Sequence, residues 1–352
     1  MKFNIGKKLI GDNLPCLIVA ELSGNHNGKY SRAKKLIIKA KEAGADLIKI
    51  QTYKADTITL KSNKNDFKIK KKSPWEKNKN LWDLYAKAHT PWEWHKKIFE
   101  LGKKLKIGIF SSPFDETSVD LLEKLKCPAY KIASAEINHI PLLIKVAKTK
   151  KPVILSIGLA DLKDLNLAIR TLKENGCKKI IILQCVSSYP APIDEQNLIT
   201  LPAIKKKFKT LVGISDHSLS LATPITSVAL GASLIERHFN LDDDTKTVDS
   251  FFSLKKKAFE NMVHEVRNTE LALGKINYGI TKSSKKNINS KRSIYVSKEI
   301  IKGEKFTREN IKIVRPGFGL HPKYFTKILG KKVNKNLNLG ERVKLKHILK
   351  NK

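Results

Sequence analysis

The chain has 352 residues with a hydrophobic content of 41%, enough for a sizeable core, which excludes an intrinsically disordered protein. The formal net charge of +36 would attract phosphate backbones, but the lysines are scattered and no nucleic-acid-binding motif accompanies them. We therefore expect no nucleic-acid partner. A basic RNA-associated protein is the alternative from a different functional class.

The sequence also lacks the marks of a membrane or secreted protein. No apolar segment approaches the roughly 20 residues that a membrane-spanning helix needs. The opening MKFNIGKKLIGDN is too polar for the core of a signal peptide. We therefore expect a cytoplasmic protein without a membrane partner. The cysteines show no paired or ligand-like spacing, and Cys16, Cys127 and Cys185 lie in or beside apolar runs, which is typical of reduced core residues.

Short β-rich apolar runs alternate with helix-like segments, which is the pattern of βα units around a parallel sheet. The predicted strands are CLIVAE (16–21), DLIKIQ (46–51), IGIFSS (107–112), AYKIAS (129–134), PVILSI (152–157), KIIILQC (179–185), LVGIS (211–215) and SLIERHF (233–239). Gly44 of EAGAD occupies a helix C-cap position before the second strand. Eight strands, each followed by a helix, within about 270 residues predict an α/β fold, the (β/α)8 (TIM) barrel.

Two segments stand apart from this repeating pattern. The insertion at 53–90 contains LWDLYAKA, which predicts a helix beside the barrel mouth. The stretch 277–291 has the Gly, Ser, Asn and Lys content of a linker, and short β-like pieces (SIYVSKEI, IKIVRP, KKVNKNL) follow it. We predict a barrel domain over 1–276, a linker over 277–291 and a small domain over 292–352.

Polar side chains collect at the carboxyl ends of the predicted strands, where the active site of a TIM barrel lies. In chain order these ends carry Glu21, Lys49, Gln51, Ser111, Ser112, Lys131, Ser134, Glu136, Ser156, Ser187, Ser188, Tyr189, Ser215, Asp216, His217, Glu236 and His238. Lys49, Lys131 and His238 have apolar neighbours, and a charged group is costly to bury without a partner. The sequence therefore predicts an active site at the barrel mouth.

Two histidines, His217 and His238, end adjacent strands, so their imidazoles can converge on one divalent metal. Water or substrate would fill the other positions, and such an open site suits Lewis-acid activation of a carbonyl. Either histidine alone would more simply be a hydrogen-bonded structural residue. His26 is a weaker third candidate, because NHNG is equally a turn.

The two lysines and the strand-end serines favour a small phosphorylated acid as substrate. An ammonium supplies a point charge, and hydroxyls with loop amides complete a phosphate cradle. Two alternatives stay open: lysines ion-paired structurally to Glu21 and Glu136, or a Schiff-base aldolase with a lysine nucleophile. The histidine pair argues against the aldolase, because imine chemistry needs no metal.

A series of motifs resembles the sialic acid synthase family over nearly the whole chain, in order: AELSGNHNG, EAGADLIKIQTY, FSSPFD, AYKIASAE, PVILSIG, GISDHS and IERHF. The last domain resembles the antifreeze-like (SAF) domain of that family. IQTY, HTPWEWH and RPGFGLHPKY are similar to its pseudaminic acid branch.

The resemblance implies that phosphoenolpyruvate condenses with open-chain 2,4-diacetamido-2,4,6-trideoxy-altropyranose by C–O cleavage, releasing phosphate and forming a nonulosonic acid. N-acetylmannosamine, or the manno-configured sugar of legionaminic acid synthesis, is the alternative substrate. The resemblance further implies a divalent metal, Mn or Mg, on His217 and His238. Because the SAF arm of the family reaches the partner subunit, it also implies a domain-swapped homodimer.

The resemblance also assigns roles to individual residues of this sequence. It places the phosphoenolpyruvate cradle on Lys49, Ser111 or Ser112, Lys131, Ser134, Ser156, Ser187 and Ser215, and contacts to the sugar or metal-bound water on Glu21, Gln51, Tyr189 and Asp249. Arg315 corresponds to an arginine over the substrate's N-acetyl group. The implied catalytic residues are Glu21, Lys49, Lys131 and Glu136. Ser187 stands where sialic acid synthases carry asparagine.

Overall fold

The computed structural model describes residues 1–71, 73–243 and 245–349, which fall into two compact units. The first unit is Met1–Gly274 and the second begins at Lys275. Each unit has its own cluster of buried hydrophobic side chains. Within the described ranges, no helix is both long and apolar enough to cross a membrane.

The first unit opens with an antiparallel hairpin, β1 (Lys2–Ile5) and β2 (Lys8–Gly11). Its Phe3 and Ile5 side chains are buried in the core of the unit. Gly6, at the turn, has a φ of +57°, a left-handed conformation that glycine adopts without strain. This hairpin is absent from the elements predicted above.

After the hairpin come the parallel strands of a barrel. The barrel is closed, because its last strand pairs with both the preceding strand and the first. The strands are β3 (Leu17–Glu21), β4 (Leu47–Thr52), β5 (Gly108–Pro113), β6 (Tyr130–Ile132), β7 (Val153–Ser156), β8 (Ile180–Cys185), β9 (Leu211–Asp216) and β10 (Leu234–Asn240). Each overlaps a predicted strand, so the predicted (β/α)8 barrel is confirmed. A short strand, β11 (Leu254–Lys255), pairs with β10.

Helices cover the outside of the barrel, so the strands are buried on both faces and read as continuous apolar runs. The α-helices of the first unit are α1 (Tyr30–Glu42), α2 (Ala55–Ile58), α3 (Leu81–Ala88), α4 (Trp92–Leu105), α5 (Glu116–Lys124), α6 (Ile140–Lys148), α7 (Leu162–Glu174), α8 (Thr200–Phe208), α9 (Ala222–Ala229) and α10 (Lys256–Leu273). Of these, α2 and α3 belong to the insertion at the barrel mouth and not to the outer layer. Gly44, after α1, has a φ of +90°, in line with its predicted C-cap role.

The insertion between β4 and α4 contains two helices where one was predicted. LWDLYAKA is helical as expected and forms α3, while α2 adds one turn near the start of the insertion. The Asn80 side chain caps α3 by accepting a hydrogen bond of 2.9 Å from the backbone N–H of Asp83. Because the insertion follows the carboxyl end of β4, it starts at the barrel mouth.

The second unit is a small fold with one antiparallel pair, β12 (Ser293–Val296) and β13 (Ile311–Val314), and a single-turn helix, α11 (Phe325–Ile328). Two of the predicted β-like pieces coincide with these strands. The third, 331–337, forms only isolated bridges, such as Val333 with Ile348. Phe306 is fully buried among the aliphatic side chains of this unit.

Gly213 of β9 permits the tightest backbone approach in the barrel wall. A Cβ atom here would lie 2.1 Å from the carbonyl oxygen of Leu234 and 2.9 Å from Leu183 Cδ2. We therefore expect Gly213→Ala to lower the free energy of unfolding by more than about 3 kcal/mol, because a backbone carbonyl cannot move aside. Urea denaturation measures this loss, with the exposed Lys206→Ala as a control that leaves the midpoint unchanged. An unchanged midpoint for Gly213→Ala would contradict the close strand approach.

Candidate active site

A cavity of about 620 Å³ opens at the carboxyl ends of the barrel strands. The predicted site residues that line it are Lys49, Gln51, Lys131, Ser134, Glu136, Ser156, Ser187, Tyr189, Ser215, His217, His238 and Asp249. They come from distant parts of the sequence, and closure of the barrel is what brings them together. Of the remaining predicted residues, Glu21 is fully buried beside the cavity residue Lys49, and Arg315 is an exposed residue of the second unit.

The two serines of β5 point to opposite faces of the barrel wall, because side chains alternate along a strand. Ser112 is aligned with Gln51, which lines the cavity, so Ser112 faces the barrel interior. Its buried hydroxyl has no hydrogen-bond partner. Ser111 faces the helices, where its Oγ lies 2.6 Å from Thr52 Oγ1. Of the two candidates for the phosphoenolpyruvate cradle, only Ser112 is on the cavity side.

Two lysines and two glutamates form a buried charge cluster at the base of the cavity. Lys49 Nζ lies 2.8 Å from Glu21 Oε2 and 3.2 Å from Glu236 Oε1. Lys131 Nζ lies 3.1 Å from the same oxygen of Glu236, and Ser215 donates a hydrogen bond of 3.0 Å to it. None of the four charged side chains is more than 4% exposed. One oxygen of Glu236 is therefore shared by two ammonium groups and a hydroxyl.

The members of this cluster differ in how strongly their charges are stabilised. Burial opposes the ionisation of Glu236, but Lys131 and Lys49 outweigh it and lower the pKa of Glu236. The pKa of Lys49 is raised, because Glu21 and Glu236 together outweigh its burial. Burial lowers the pKa of Lys131 and raises that of Glu21. An anion that binds beside Lys131 would stabilise its charged form.

Glu236 is the residue at the base of the cavity to which the sequence reasoning assigned no role. It lies two residues before His238 on β10, and this alternation places both side chains in the barrel interior. The open alternative paired the lysines with Glu21 and Glu136. The structure keeps Glu21 in that role and places Glu236, not Glu136, beside the lysines.

The rings of His217 and His238 lie side by side, with centroids 5.3 Å apart. His217 Nδ1 is 3.0 Å from the carbonyl oxygen of Val186, which can only accept, so Nδ1 carries the proton and Nε2 has a free lone pair. His238 Nδ1 contacts Ser23 Oγ at 3.2 Å. Burial lowers the pKa of His217 to about 4 and that of His238 well below its usual value. Both are neutral imidazoles at pH 7, the form that binds a metal.

In the part of the chain that the structure describes, no third protein ligand joins these histidines. Among the described residues, no group of three or more His, Cys, Asp or Glu side chains is arranged to hold a metal. The weaker candidate, His26, lies outside the cavity lining and packs its ring edge-on against Trp94, with centroids 5.5 Å apart. A metal on the two histidines would keep open positions for water or substrate.

Aromatic side chains surround the histidine pair. The Tyr189 ring lies 4.5 Å from the His217 ring, and the Phe252 ring lies 4.6 Å from the His238 ring, centroid to centroid. Trp75, from the insertion, packs against Tyr189 at 5.5 Å and donates a hydrogen bond of 3.0 Å to the carbonyl oxygen of Val248. Through Trp75, these contacts join the middle of the insertion to the aromatic surroundings of the histidine pair.

An ion pair joins the ends of β9 and β10 on the outer face of the barrel, opposite the face that carries the two histidines. Asp216 and Arg237 are aligned on β9 and β10, and the Arg237 guanidinium donates to the Asp216 carboxylate and to the carbonyl oxygen of Ser218. Both charged side chains are buried. Asp216 therefore has a structural role, directly before a cavity histidine.

All four cysteines are free and buried, in agreement with their reduced state in the prediction. Cys185 is an exception to the core assignment, because it lines the cavity with its Sγ 3.8 Å from His217 Nδ1. Burial raises the pKa of this thiol, which keeps it protonated and a poor nucleophile.

Glu136 is a buried carboxyl group in the turn after β6. It is 9% exposed, and its Oε2 has no hydrogen-bond partner. Burial raises its pKa to about 7, so it holds a proton over much of the neutral range. A carboxyl group with such a pKa can both donate and accept a proton near neutral pH.

This raised pKa makes stability depend on pH in a defined direction. Glu136 is ionised in the unfolded chain above about pH 4.5 but in the native protein only above about pH 7, so its contribution to stability is present at low pH and lost as pH rises. Relative to Glu136→Gln, the wild type should lose about 2–3 kcal/mol of unfolding free energy between pH 5 and pH 8. Urea denaturation at both pH values measures this difference. Glu174→Gln is the control at an exposed position, and its difference from the wild type in unfolding free energy should not change with pH. If the difference between the wild type and Glu136→Gln is the same at both pH values, the raised pKa of Glu136 is contradicted.

Comparison with known proteins identifies the family to which the chain belongs. Residues 36–278 match the NeuB family, and residues 291–349 match the SAF domain. The chain is 45% identical to the pseudaminic acid synthase of Campylobacter jejuni subsp. jejuni serotype O:23/36 over 342 residues, which cover 97% of each protein. It is 33% identical to the N,N'-diacetyllegionaminic acid synthase of Legionella pneumophila, again over 97% of each.

Solved structures agree with this result. The crystal structure of the spore coat polysaccharide biosynthesis protein SpsE from Bacillus subtilis superposes with a TM-score of 0.68 and 32% sequence identity, and the match covers both chains completely. The predicted resemblance to the sialic acid synthase family is therefore confirmed. The chain belongs to the NeuB family, with a SAF domain after its barrel.

Proposed function

We propose that the chain is a pseudaminic acid synthase. It condenses phosphoenolpyruvate with open-chain 2,4-diacetamido-2,4,6-trideoxy-altropyranose and releases phosphate. The observation that carries the proposal is a single cavity in which a buried lysine pair lies beside two neutral histidines. The higher identity to a pseudaminic than to a legionaminic acid synthase supports an altro-configured sugar over a manno-configured one.

Phosphoenolpyruvate binds at the base of the cavity in this proposal. Its phosphate and carboxylate approach Lys131 and Lys49, whose ammonium groups can donate charge-assisted hydrogen bonds to them. The Oγ atoms of Ser112 and Ser156 are buried without partners, and a bound anion would accept hydrogen bonds from both. The resemblance adds Ser134, Ser187 and Ser215 to the same cradle.

The two histidines fit a divalent metal, Mn²⁺ or Mg²⁺, because both are neutral and the Nε2 atom of His217 has a free lone pair. When bound, the metal would polarise the sugar aldehyde as a Lewis acid. Val186 and Ser23 hold the two rings through their Nδ1 atoms.

Proton transfers are assigned to Glu136. C3 of phosphoenolpyruvate attacks C1 of the aldehyde, and the protonated carboxyl gives its proton to the oxygen that becomes the hydroxyl. Water then adds at C2, and Glu136 recovers a proton from it. The bond between C2 and the phosphate oxygen breaks, the C2 hydroxyl becomes the keto group, and its proton leaves with the phosphate. The lysines stabilise the negative charge on the phosphate throughout. A pKa near 7 suits both transfers.

The sugar contacts follow the resemblance. Gln51, Tyr189 and Asp249 line the cavity, and Glu21 acts through its ion pair with Lys49. Three points stay predictions: the contact of Arg315 with the sugar, the domain-swapped homodimer and the cytoplasmic location.

Phosphate release tests the proposal directly. Purified, EDTA-stripped protein is mixed with phosphoenolpyruvate and each candidate sugar, with and without Mn²⁺, and a blank without sugar is subtracted. We expect release only with metal and only with the altrose derivative. Release with a manno-configured sugar would assign the chain to a sister activity. No release with any sugar in the presence of metal would contradict the proposal.

The metal assignment has its own test in two histidine variants. His217→Asn should weaken Mn²⁺ binding, measured by titration calorimetry, by more than about 100-fold, since removing a ligand costs more than the 10–100-fold typical of its supporting contacts. His264→Asn, at an exposed histidine on α10, should bind Mn²⁺ like the wild type. Equal Mn²⁺ affinity in the wild type and His217→Asn would contradict the assignment.

A further inference from the structure

Helix α3 of the insertion turns its apolar face toward the cavity. Leu81, Leu84, Tyr85 and Ala88 have the i, i+3, i+4, i+7 spacing that places side chains on one face of a helix. All four line the cavity. Leu84 and Ala88 are each only 8% exposed, yet neither belongs to the hydrophobic core of the barrel. The apolar face of this helix therefore covers the active site rather than the protein core.

Two aromatic residues from neighbouring strand ends complete this surface. The ring of Tyr53, after β4, packs edge-on against Tyr85 at 5.9 Å and against Phe114 at 5.0 Å, centroid to centroid. Tyr53 is 3% exposed and, like Phe114, lines the cavity. We call this surface the apolar wall, and it consists of Tyr53, Leu81, Leu84, Tyr85, Ala88 and Phe114.

The apolar wall lies away from the charged base of the cavity. Tyr53 is four residues beyond Lys49 along the same strand direction, a rise of about 13 Å in extended chain. The base of the cavity thus holds four buried charges, whereas the six residues of the apolar wall carry none. Another part of the insertion adds charged side chains to the lining, namely Asp66, Lys68 and Lys70. Phosphoenolpyruvate carries its negative groups to the base, so the apolar wall faces the second substrate.

We propose that the apolar wall binds the methyl-bearing C6 end of a 6-deoxy sugar and so makes the insertion a specificity determinant. This inference rests on the proposed function. The aldehyde carbon C1 has to meet phosphoenolpyruvate at the base, and the opposite end of the open chain therefore points toward the wall. A methyl group gains from contact with Leu84 and Ala88, whereas a hydroxyl beside these two side chains loses its water and gains no hydrogen-bond partner from them.

The test compares two altro-configured diacetamido sugars that differ only at C6, one with a methyl group and one with a hydroxymethyl group. The wild type should prefer the 6-deoxy sugar by at least about 10-fold in kcat/KM. Leu84→Asn should reduce this preference to less than about 3-fold, because the amide offers a partner to the hydroxyl. The KM for phosphoenolpyruvate should stay within about 2-fold of the wild type, since the base of the cavity is untouched.

Matched variants separate specificity from folding. Leu84→Met keeps an apolar side chain of similar volume and should keep the preference. Ala86→Asn places the same amide on the exposed face of α3 and should leave both substrates unaffected. If Leu84→Asn does not fold, Leu81→Asn, at a half-buried position on the same face, should reduce the preference in its place.

The outcomes distinguish the inference from the function on which it rests. If the wild type uses the 6-deoxy sugar and the preference is unchanged in Leu84→Asn and Leu81→Asn, the wall has no role in specificity and the synthase function stands. If Ala86→Asn lowers the preference as much as Leu84→Asn, the effect comes from the helix as a whole and the inference is overturned. If the wild type uses neither sugar, both proposals are wrong.

Discussion

The buried ion-pair cluster of Lys49, Lys131, Glu21 and Glu236 is the constraint on which the rest of the active site depends. Four charged groups inside a barrel are tolerated only because each has an oppositely charged neighbour at 2.8–3.2 Å. Breaking such a buried pair by removing one partner typically costs about 3–5 kcal/mol. The cluster therefore requires closure of the barrel, since its members come from four different strands, and it leaves Lys131 with the weakest compensation.

Lys131, the lysine whose charge is least compensated, determines which end of the cavity attracts an anionic group. An anionic substrate is drawn to the base by the ammonium group of Lys131, and the two neutral histidines lie above the same base on adjacent strand ends. The Asp216–Arg237 ion pair on the outer face of these strands fixes the backbone at His217 and His238 without adding charge to the cavity. Helix α3 of the insertion contributes apolar side chains to another part of the lining, while Asp66, Lys68 and Lys70 of the insertion contribute charged ones. The buried charges of the base and the apolar wall thus occupy different parts of one cavity.

Much of this arrangement could be predicted from the sequence, because parallel strands buried on both faces appear as continuous apolar runs and end on polar residues. All eight barrel strands were identified in that way, as were the polar strand-end residues of the cavity such as Lys49, Lys131 and His238. The N-terminal hairpin was not, since its short alternating strands around Gly6 lie in a polar segment. Counting alternation along β5 and β10 would have separated Ser112 from Ser111 and identified Glu236. No local pattern shows that α3 faces a cavity, because an amphipathic helix over a core has the same spacing.

A crystal structure with phosphoenolpyruvate and Mn²⁺ bound tests the central claim most directly. The account predicts that the phosphate or carboxylate of phosphoenolpyruvate lies within hydrogen-bonding distance of Lys131 Nζ, and that Mn²⁺ is bound by His217 and His238. Phosphoenolpyruvate bound elsewhere, with the ion pairs of Glu236 unchanged, would contradict it and make the buried cluster a purely structural feature of the barrel.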